Sequence, residues 1–243
     1  MKRLLKSLTA ACLAATLSSQ AYASIIVGGT RVVYPESTRE VSVQLTNTGS
    51  SPSLVQSWID AGNSDSSPED TDAPFVLTPP IARVNADGGQ ALRIAYTGDP
   101  AQLPRDRESL FWLNVLDIPP EPAADGSNKN YVQLAFRSRL KVFYRPAGLN
   151  SSPNEAADKL RWKANANSIS VENNSPYHVS MTNVQAIAGQ QVDEVVPHGY
   201  MLTPGEHKVF ELNRNISFKP TQIQYTFIND FGGRVQRTAA LEK

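Results

Sequence analysis

Two cations, Arg31 and Lys141, are the residues of this chain whose types could do the most specific binding chemistry. Two fixed positive charges that lie close together can hold one carboxylate by charge-assisted hydrogen bonds, and arginine adds two-point geometry. The two residues are far apart in the chain, so the sequence leaves open whether they meet. Ordinary solvated bases on separate strands are the alternative.

The residue types that most often serve in catalysis form no recognisable constellation. His178, His198 and His207 lie in different segments, and none has a metal-ligand partner at three or four residues. The sequence contains neither a Gly-x-Ser-x-Gly elbow nor a phosphate-binding glycine loop. Asp230-Phe231-Gly232 is similar to the kinase magnesium motif, but the rest of that motif is missing. We therefore expect no catalytic residues, no metal and no cofactor.

Residues 60–72 form a loop rich in acidic residues and serine. Its carboxylates are Asp65, Glu69, Asp70 and Asp72. The ordered ligand spacing of a calcium loop is absent, which favours a solvated loop over a calcium site.

The first 23 residues have the pattern of a secretory signal peptide. Lys2, Arg3 and Lys6 precede an apolar stretch at 8–17, and Ala21-Tyr22-Ala23 supplies a small-x-small cleavage site. We predict cleavage after Ala23. Cys12, the one cysteine, lies inside this segment. A lipoprotein anchor at Cys12 is the weaker alternative, because little apolar sequence precedes it.

Composition limits the partners of the exported chain. Its 23 basic and 23 acidic residues balance, and removal of the signal peptide leaves a net charge near −3. No basic patch with interleaved aromatic residues is present, so we expect no nucleic-acid binding. No later segment is apolar enough to suggest membrane insertion.

Nearly every periodic stretch of the chain is strand-like, with short turn motifs between stretches. The predicted strands are residues 25–27, 31–34, 40–46, 53–59, 75–77, 91–96, 160–163, 168–172, 178–184, 192–196, 208–212 and 222–228. Helix is expected at 153–159 and a single turn at 101–105. This pattern predicts an all-β fold of sandwich type.

A linker-like segment at 145–153 divides these strands into two runs. We predict an N-terminal sandwich domain at 24–147 and a second one at 148–243. About 220 residues without cysteine suffice for two ordinary cores.

Residues 131–146, YVQLAFRSRLKVFYRP, predict one long strand. Val132, Leu134 and Phe136 share one face, whereas the intervening residues take the other. A strand this apolar at an open edge would invite aggregation, so it is either buried in its own domain or exposed for a purpose. Lys141 has the opposite parity from Leu134, so a bulge or twist is expected if both face one ligand.

These residues also carry a family resemblance. LKVFYRP (140–146), LPRDRESLFWLN (103–114) and YTFINDFGGR (225–234) are similar to blocks of the PapD-like periplasmic pilus-assembly chaperones. Further matches are Ile118-Pro119-Pro120, Thr78-Pro79-Pro80 and the segment from Pro52 to Ile59. The resemblance implies two immunoglobulin-like β-sandwich domains set at an angle, in an L or boomerang arrangement, with a cleft between them.

The resemblance implies roles for particular residues. Arg31 and Lys141 would anchor the C-terminal carboxylate of a pilin subunit. Val132, Leu134 and Phe136 would be the face of the strand lent to that subunit in donor-strand complementation, although such residues more often belong to a domain's own core.

Two further groups follow from the resemblance. Glu108, Arg145 and Asp230 would form a salt bridge between the domains. Pro52, Thr78 and Pro79 resemble a pair of loops that shuts the cleft of the empty chaperone, with the capping of sandwich strands as the ordinary alternative.

The implied function is a periplasmic chaperone, without catalysis, that binds and folds pilin (fimbrial) subunits and delivers them to an outer-membrane usher. A self-capping homodimer of the empty protein is left open. The alternative class is an exported, non-catalytic two-domain adhesin or carbohydrate-binding protein, in which Val132, Leu134 and Phe136 would be internal core.

Overall fold

The computed structural model describes residues 24–71, 73–121, 132–165, 167–196, 198–212 and 219–242. The predicted signal peptide and Tyr131, the first residue of the predicted long strand, lie outside the described residues. Part of the acidic loop, Asp72, also lies outside them.

In its described residues, the N-terminal half has nine strands and one short 3-10 helix at Pro100–Gln102. The strands are β1 (Ile25–Val27), β2 (Arg31–Pro35), β3 (Val41–Asn47), β4 (Ser53–Asp60), β5 (Phe75–Thr78), β6 (Ile81–Val84), β7 (Gly89–Tyr96), β8 (Ser109–Ile118) and β9 (Phe136–Arg145). They form a four-stranded sheet in the order β1-β3-β7-β5 and a five-stranded sheet in the order β2-β9-β8-β4-β6.

The C-terminal half begins with one short helix, α1 (Pro153–Asp158). Ser152 caps this helix by accepting a hydrogen bond from the Glu155 N–H, and Pro153 occupies its first turn. The strands that follow are β10 (Arg161–Ala164), β11 (Ser168–Glu172), β12 (Val179–Ala188), β13 (Gln191–Val196), β14 (Tyr200–Leu202), β15 (His207–Glu211), β16 (Gln222–Ile228) and β17 (Arg234–Ala240). They form a sheet in the order β10-β11-β15 and a second in the order β13-β12-β16-β17, with β14 paired to β12.

Each half of the chain has its own hydrophobic core. Residues such as Leu45, Ile94 and Leu113 are fully buried in the first core, and Ile169 and Ile223 are fully buried in the second. The buried residues alternate with exposed ones along most strands, because successive side chains of a strand point to opposite faces. The all-β, two-sandwich prediction is therefore confirmed.

Candidate binding site

Arg31 and Lys141 lie side by side where β2 meets β9. The two strands run parallel, and the register pairs Arg31 directly with Lys141. The Arg31 Nη1 atom donates to the carbonyl oxygen of Ile228 in the C-terminal half at 2.9 Å, and its guanidinium lies 5.7 Å from the centre of the Phe143 ring. Its Nε atom is buried without an acceptor among the described residues. A buried N–H group without a partner favours an incoming acceptor.

Lys141 reaches across the junction to the other half. Its Nζ atom donates to the Ser180 hydroxyl at 3.1 Å and lies 6.0 Å from the centre of the Trp112 ring. No carboxylate of the described residues lies within ion-pair distance of it. Burial, assisted by the positive charge of Arg31, lowers the pKa of Lys141 to about 8.

Burial also lowers the pKa of Arg31, although the charges of Asp230 and Glu108 oppose that change. Both cations are thus partly desolvated and poorly neutralised, which costs free energy unless an anion binds. Arg31 and Lys141 together form a site chemically suited to one carboxylate.

The second site group, Glu108, Arg145 and Asp230, forms one ion-pair network between the two halves. Arg145 Nε donates to Glu108 Oε1 at 2.8 Å, while its two terminal nitrogens donate to the Asp230 carboxylate at 2.7 and 3.0 Å. Burial by itself would lower the pKa of Arg145, but hydrogen bonds and negative charge from Asp230 and Glu108 raise it. Arg145 therefore stays charged and connects β9 with the turn after β16.

His178 completes this network, a role that the sequence analysis missed. Its main-chain N–H donates to Glu108 Oε2 at 2.8 Å, and its Nδ1 lies 3.1 Å from the same oxygen. Its ring also packs on Phe143, with 5.3 Å between the ring centres. One pattern could have grouped it with Ser180: the two residues are two positions apart in the predicted strand 178–184 and so share one face of it. Ile228, by contrast, contributes a backbone oxygen that no sequence pattern indicates.

The three apolar side chains Val132, Leu134 and Phe136, called the donor face below, are exposed. Their exposed fractions are 84%, 59% and 49%. They have the parity of Leu140, Val142 and Tyr144, which are buried in the first core. On β9 itself, the side that contributes to the core at Leu140 is exposed to solvent at Phe136. In the alternative adhesin hypothesis the donor face would be internal core, but in this structure it is exposed to solvent.

One detail of the predicted strand was wrong. The strand begins at Phe136, and residues 132–135 have no regular secondary structure. The pairing of β9 with β8 runs without a shift from Asp117↔Phe136 to Ser109↔Tyr144, so no bulge lies within these residues. Alternation along β9 places Lys141 and Phe136 on opposite sides of the strand, and the expected bulge or twist between Leu134 and Lys141 stays a prediction.

The main chain of β9 at residues 136–140 forms an open edge. On one side β9 pairs with β8 from Phe136 to Tyr144, whereas on the other side β2 covers residues 141–145 alone. In the described part of the chain, no strand pairs with residues 136–140 on that second side. The open edge therefore ends at the Arg31–Lys141 pair.

The side of the five-stranded sheet away from the core, called the outer face below, holds β9 in place. The Arg139 guanidinium lies 4.3 Å from the centre of the Trp112 ring, and its Nη2 atom bonds the nearly buried Asp60 at 2.6 Å. Arg137 lies over Trp58 at 5.3 Å and donates to the backbone oxygen of Ser64. These contacts attach the strand to loop 60–72 and leave its open edge free.

The structure places the predicted cleft-closing residues apart. Pro52 precedes Ser53, which pairs with Val84, whereas Thr78 and Pro79 lie where β5 turns into β6 near Gln56. The two groups are at opposite ends of the β4–β6 pairing. Their role in closing the cleft stays a prediction.

Two features are absent from the described part of the chain. No group of three or more His, Cys, Asp or Glu side chains there could hold a metal ion. None of the helices in that part of the chain has the length and hydropathy to cross a membrane.

Comparison with known families identifies the family to which this fold belongs. Residues 24–150 match the N-terminal domain of PapD, described as a pili and flagellar-assembly chaperone, and residues 155–239 match the PapD C-terminal domain of the pili-assembly chaperones. The chain therefore belongs to the pilus-assembly chaperone family. The exact domain boundary near residue 147 stays a prediction.

Individual relatives agree over nearly the whole chain. The probable fimbrial chaperone YadV of Escherichia coli K12 is 39% identical over 97% of this chain and 98% of its own length. The crystal structure of the Pseudomonas aeruginosa CupB2 chaperone is 41% identical, covers 89% of this chain and 100% of its own, and has a TM-score of 0.76. The SafB chaperone of Salmonella enterica, solved in complex with the SafA pilin, is 28% identical, covers 92% of this chain and 99% of its own, and has a TM-score of 0.74.

Proposed function

We propose that this protein is a periplasmic chaperone that binds newly exported pilin subunits by donor-strand complementation and delivers them to an outer-membrane usher. The observation that carries the proposal is the open edge of β9, which lies between three exposed apolar side chains and a pair of half-buried cations. The bound subunit is called the guest below. The solved SafB relative, which is in complex with a pilin, supports this class of guest.

The open edge supplies main-chain donors and acceptors to a guest with an incomplete sheet. A strand that adds to such an edge gains main-chain hydrogen bonds, while alternate side chains supply the specific contacts; chaperone–pilin complementation is a known example of this mode. Val132, Leu134 and Phe136 have the same parity and are exposed, so they can enter an apolar groove of the guest when this segment pairs as a strand. Complete burial of such a side chain stabilises by about 1.5–3 kcal/mol.

The cation pair sets the position and direction of the guest strand. The terminal carboxylate of the guest would accept hydrogen bonds from Arg31 Nε and from the ammonium of Lys141. Of these two donors, Arg31 Nε is buried without an acceptor among the described residues. Because the open edge extends from Lys141 back toward Phe136, a guest strand that ends at Lys141 runs in the same direction as β9. The guest is therefore held in a parallel pairing.

The network of Glu108, Arg145 and Asp230 maintains the geometry of this site. Arg31 lies on β2, whereas the oxygen that it binds belongs to Ile228 in the other half of the molecule. A change in the angle between the halves would move Arg31 and Lys141 relative to Ser180 and Ile228. The network thus holds both sides of the carboxylate site in register.

Delivery to an usher requires a surface that a bound guest leaves free. Leu54 and Ile81 are exposed on the outer face, at fractions of 44% and 54%, and lie on strands β4 and β6, away from the open edge. An exposed apolar patch on a soluble protein favours a protein partner. We assign it to the usher.

Location and self-association complete the proposal. The signal-peptide pattern of residues 1–23 supports export, and the related chaperone SfaE, 33% identical, is described as periplasmic. Since an empty open edge can pair with any available strand, the unliganded protein is proposed to protect it by forming a homodimer.

Periplasmic co-expression with fimbrial subunits from the same genome, followed by affinity capture, tests the function. The wild-type protein should retain a subunit, whereas Leu134→Glu should remain folded and lose it. Ile26→Glu, which places the same charge at another exposed apolar position, is the matched control. If Leu134→Glu unfolds the protein, or captures subunits as well as the control does, the proposal is wrong.

A further inference from the structure

A cleft of about 620 Å³ opens directly beside Lys141, between the two halves of the molecule. Trp112 and Lys141 line it from the first half, and Ser180, Met181, Tyr200 and Met201 line it from the second. This size is within the range of cavities that bind small ligands or side chains. The cleft shares Lys141 and Ser180 with the proposed carboxylate site but extends beyond it.

The lining of this cleft is suited to an apolar group. Two methionines, one tryptophan and one tyrosine contribute the large side chains, and Ile228 adds another apolar surface. Methionine is flexible and polarisable, so it packs against side chains of different shapes. None of the residues that line the cleft has a carboxylate, and Lys141 is the one lysine or arginine among them.

The strand geometry directs a particular part of the guest into the cleft. Trp112 and Lys141 are cross-strand partners in β8 and β9 and lie together on the outer face. The side chains of a guest strand on the open edge alternate between the two faces of the sheet. Those that point to the outer face lie on the same side as Trp112 and Lys141. A guest carboxylate at Lys141 brings the last residue of the guest to the mouth of the cleft.

We propose that this cleft is a selectivity pocket for the side chain of the guest's C-terminal residue and that it prefers a large apolar side chain. The inference rests on the proposed function, because the terminal carboxylate must be held by Arg31 and Lys141. The occupant thus has two chemical features: a free carboxylate and an adjoining apolar side chain. An acidic terminal side chain has a cation nearby but loses the apolar contacts and is disfavoured.

Fluorescently labelled synthetic peptides that differ at the last residue test the proposal with the full chain. Each peptide has the same soluble, strand-forming sequence and ends in Gly, Met, Phe or Asp, either as the free carboxylate or as the carboxamide. Fluorescence anisotropy measures Kd. Peptides ending in Met or Phe should bind about tenfold more tightly than the Gly peptide, provided the carboxylate is free.

Variants of Met201 connect this preference to the cleft. Met201→Trp fills the space and should remove the advantage of Met and Phe over Gly, whereas Met201→Ala enlarges it and should favour Phe over Met. Val209→Trp introduces the same ring at an exposed apolar position outside the cleft and should leave the preference unchanged.

The outcomes separate the two proposals. If carboxamides bind more weakly but the terminal side chain has no effect, the pocket is wrong and the carboxylate anchor stands. If carboxamides bind as well as carboxylates, or if no peptide with a free carboxylate binds, both the anchor and the pocket are overturned. A preference that survives Met201→Trp also overturns the pocket.

Discussion

Arg31 and Lys141 are direct partners in the parallel pairing of β2 with β9, so two positive charges are fixed on neighbouring strands. Flexible surface cations would move apart to reduce their repulsion, but the backbone of the sheet holds these two together. Arg31 also bonds Ile228, and Lys141 bonds Ser180, so both cations contact the second half of the molecule. Their repulsion favours the binding of an anion between them.

Removal of either cation should weaken guest binding without unfolding the protein. Arg31→Ala or Lys141→Ala should each raise the Kd for a guest about 10- to 100-fold, because a hydrogen bond to a charged group contributes about 1.5–3 kcal/mol. Titration of a purified subunit or of a peptide with a free carboxylate measures this change. Arg83→Ala, which removes an exposed cation from β6, is the control. Equal affinities of the three variants would contradict the anchor.

The pKa of Lys141 predicts a dependence on pH. Because burial lowers this pKa from 10.5 to about 8, the folded protein binds fewer protons than the unfolded chain between these values. Stability therefore rises with pH across this range. Burial of the charged ammonium destabilises the folded protein fully below about pH 8, and this destabilisation is absent above about pH 10.5.

Chemical denaturation of the wild type and of Lys141→Met across this pH range checks the prediction. The stability of the wild type relative to the variant should rise from pH 8 to pH 10.5. Guest affinity should change in the opposite direction, because a neutral amine no longer attracts the carboxylate. A constant difference between the two proteins would show that Lys141 does not titrate here.

Arg145→Ala should destabilise the protein and change the angle between its halves. The substitution leaves the carboxylate of Glu108, whose side chain is 2% exposed, without its charge partner. Loss of one member of a buried ion pair costs about 3 kcal/mol. Thermal unfolding and small-angle scattering measure the two effects.

Arg237→Ala is the matched control for that experiment. Arg237 pairs with Asp158 on the surface, where an ion pair contributes about 1 kcal/mol or less. If both variants unfold at the same temperature and Arg145→Ala scatters like the wild type, the network has no role in holding the domains.

The apolar patch on the outer face predicts a separation of two activities. Leu54→Glu combined with Ile81→Glu should retain guest capture but reduce binding of the chaperone–guest complex to a purified usher. Surface plasmon resonance with immobilised usher measures this effect, and Val76→Glu, on the other sheet, is the control. Normal usher binding by the double variant would assign the patch to another role.

The sequence predicted strands best where apolar and polar residues alternate clearly. The predicted strands at 168–172 and 222–228 have the same bounds as β11 and β16. It missed β6 and β8, and in β8 apolar residues occupy both faces, so alternation is weak there. It also missed β14, which has three residues, and β17, which is exposed at every second residue. Such strands form because a neighbour offers hydrogen bonds, and local sequence contains little information on that neighbour.

The candidate site could be predicted in part. Alternation predicted that Val132, Leu134 and Phe136 share one face, and the structure shows all three exposed. The family resemblance was needed to bring Arg31 and Lys141 together. The contacts of His178, Ser180 and Ile228 with the first half of the molecule depend on how two cores meet. No period within a single strand encodes that arrangement.

The unequal ends of the open edge have a mechanical consequence. At Lys141 the edge ends against β2 and the two cations, whereas at Phe136 it is open to solvent. A parallel guest strand pulled along its length would load all its hydrogen bonds at once, in shear. A competing strand that enters at the Phe136 end would meet those bonds one after another, so handover can proceed by small steps from that end without an external energy source.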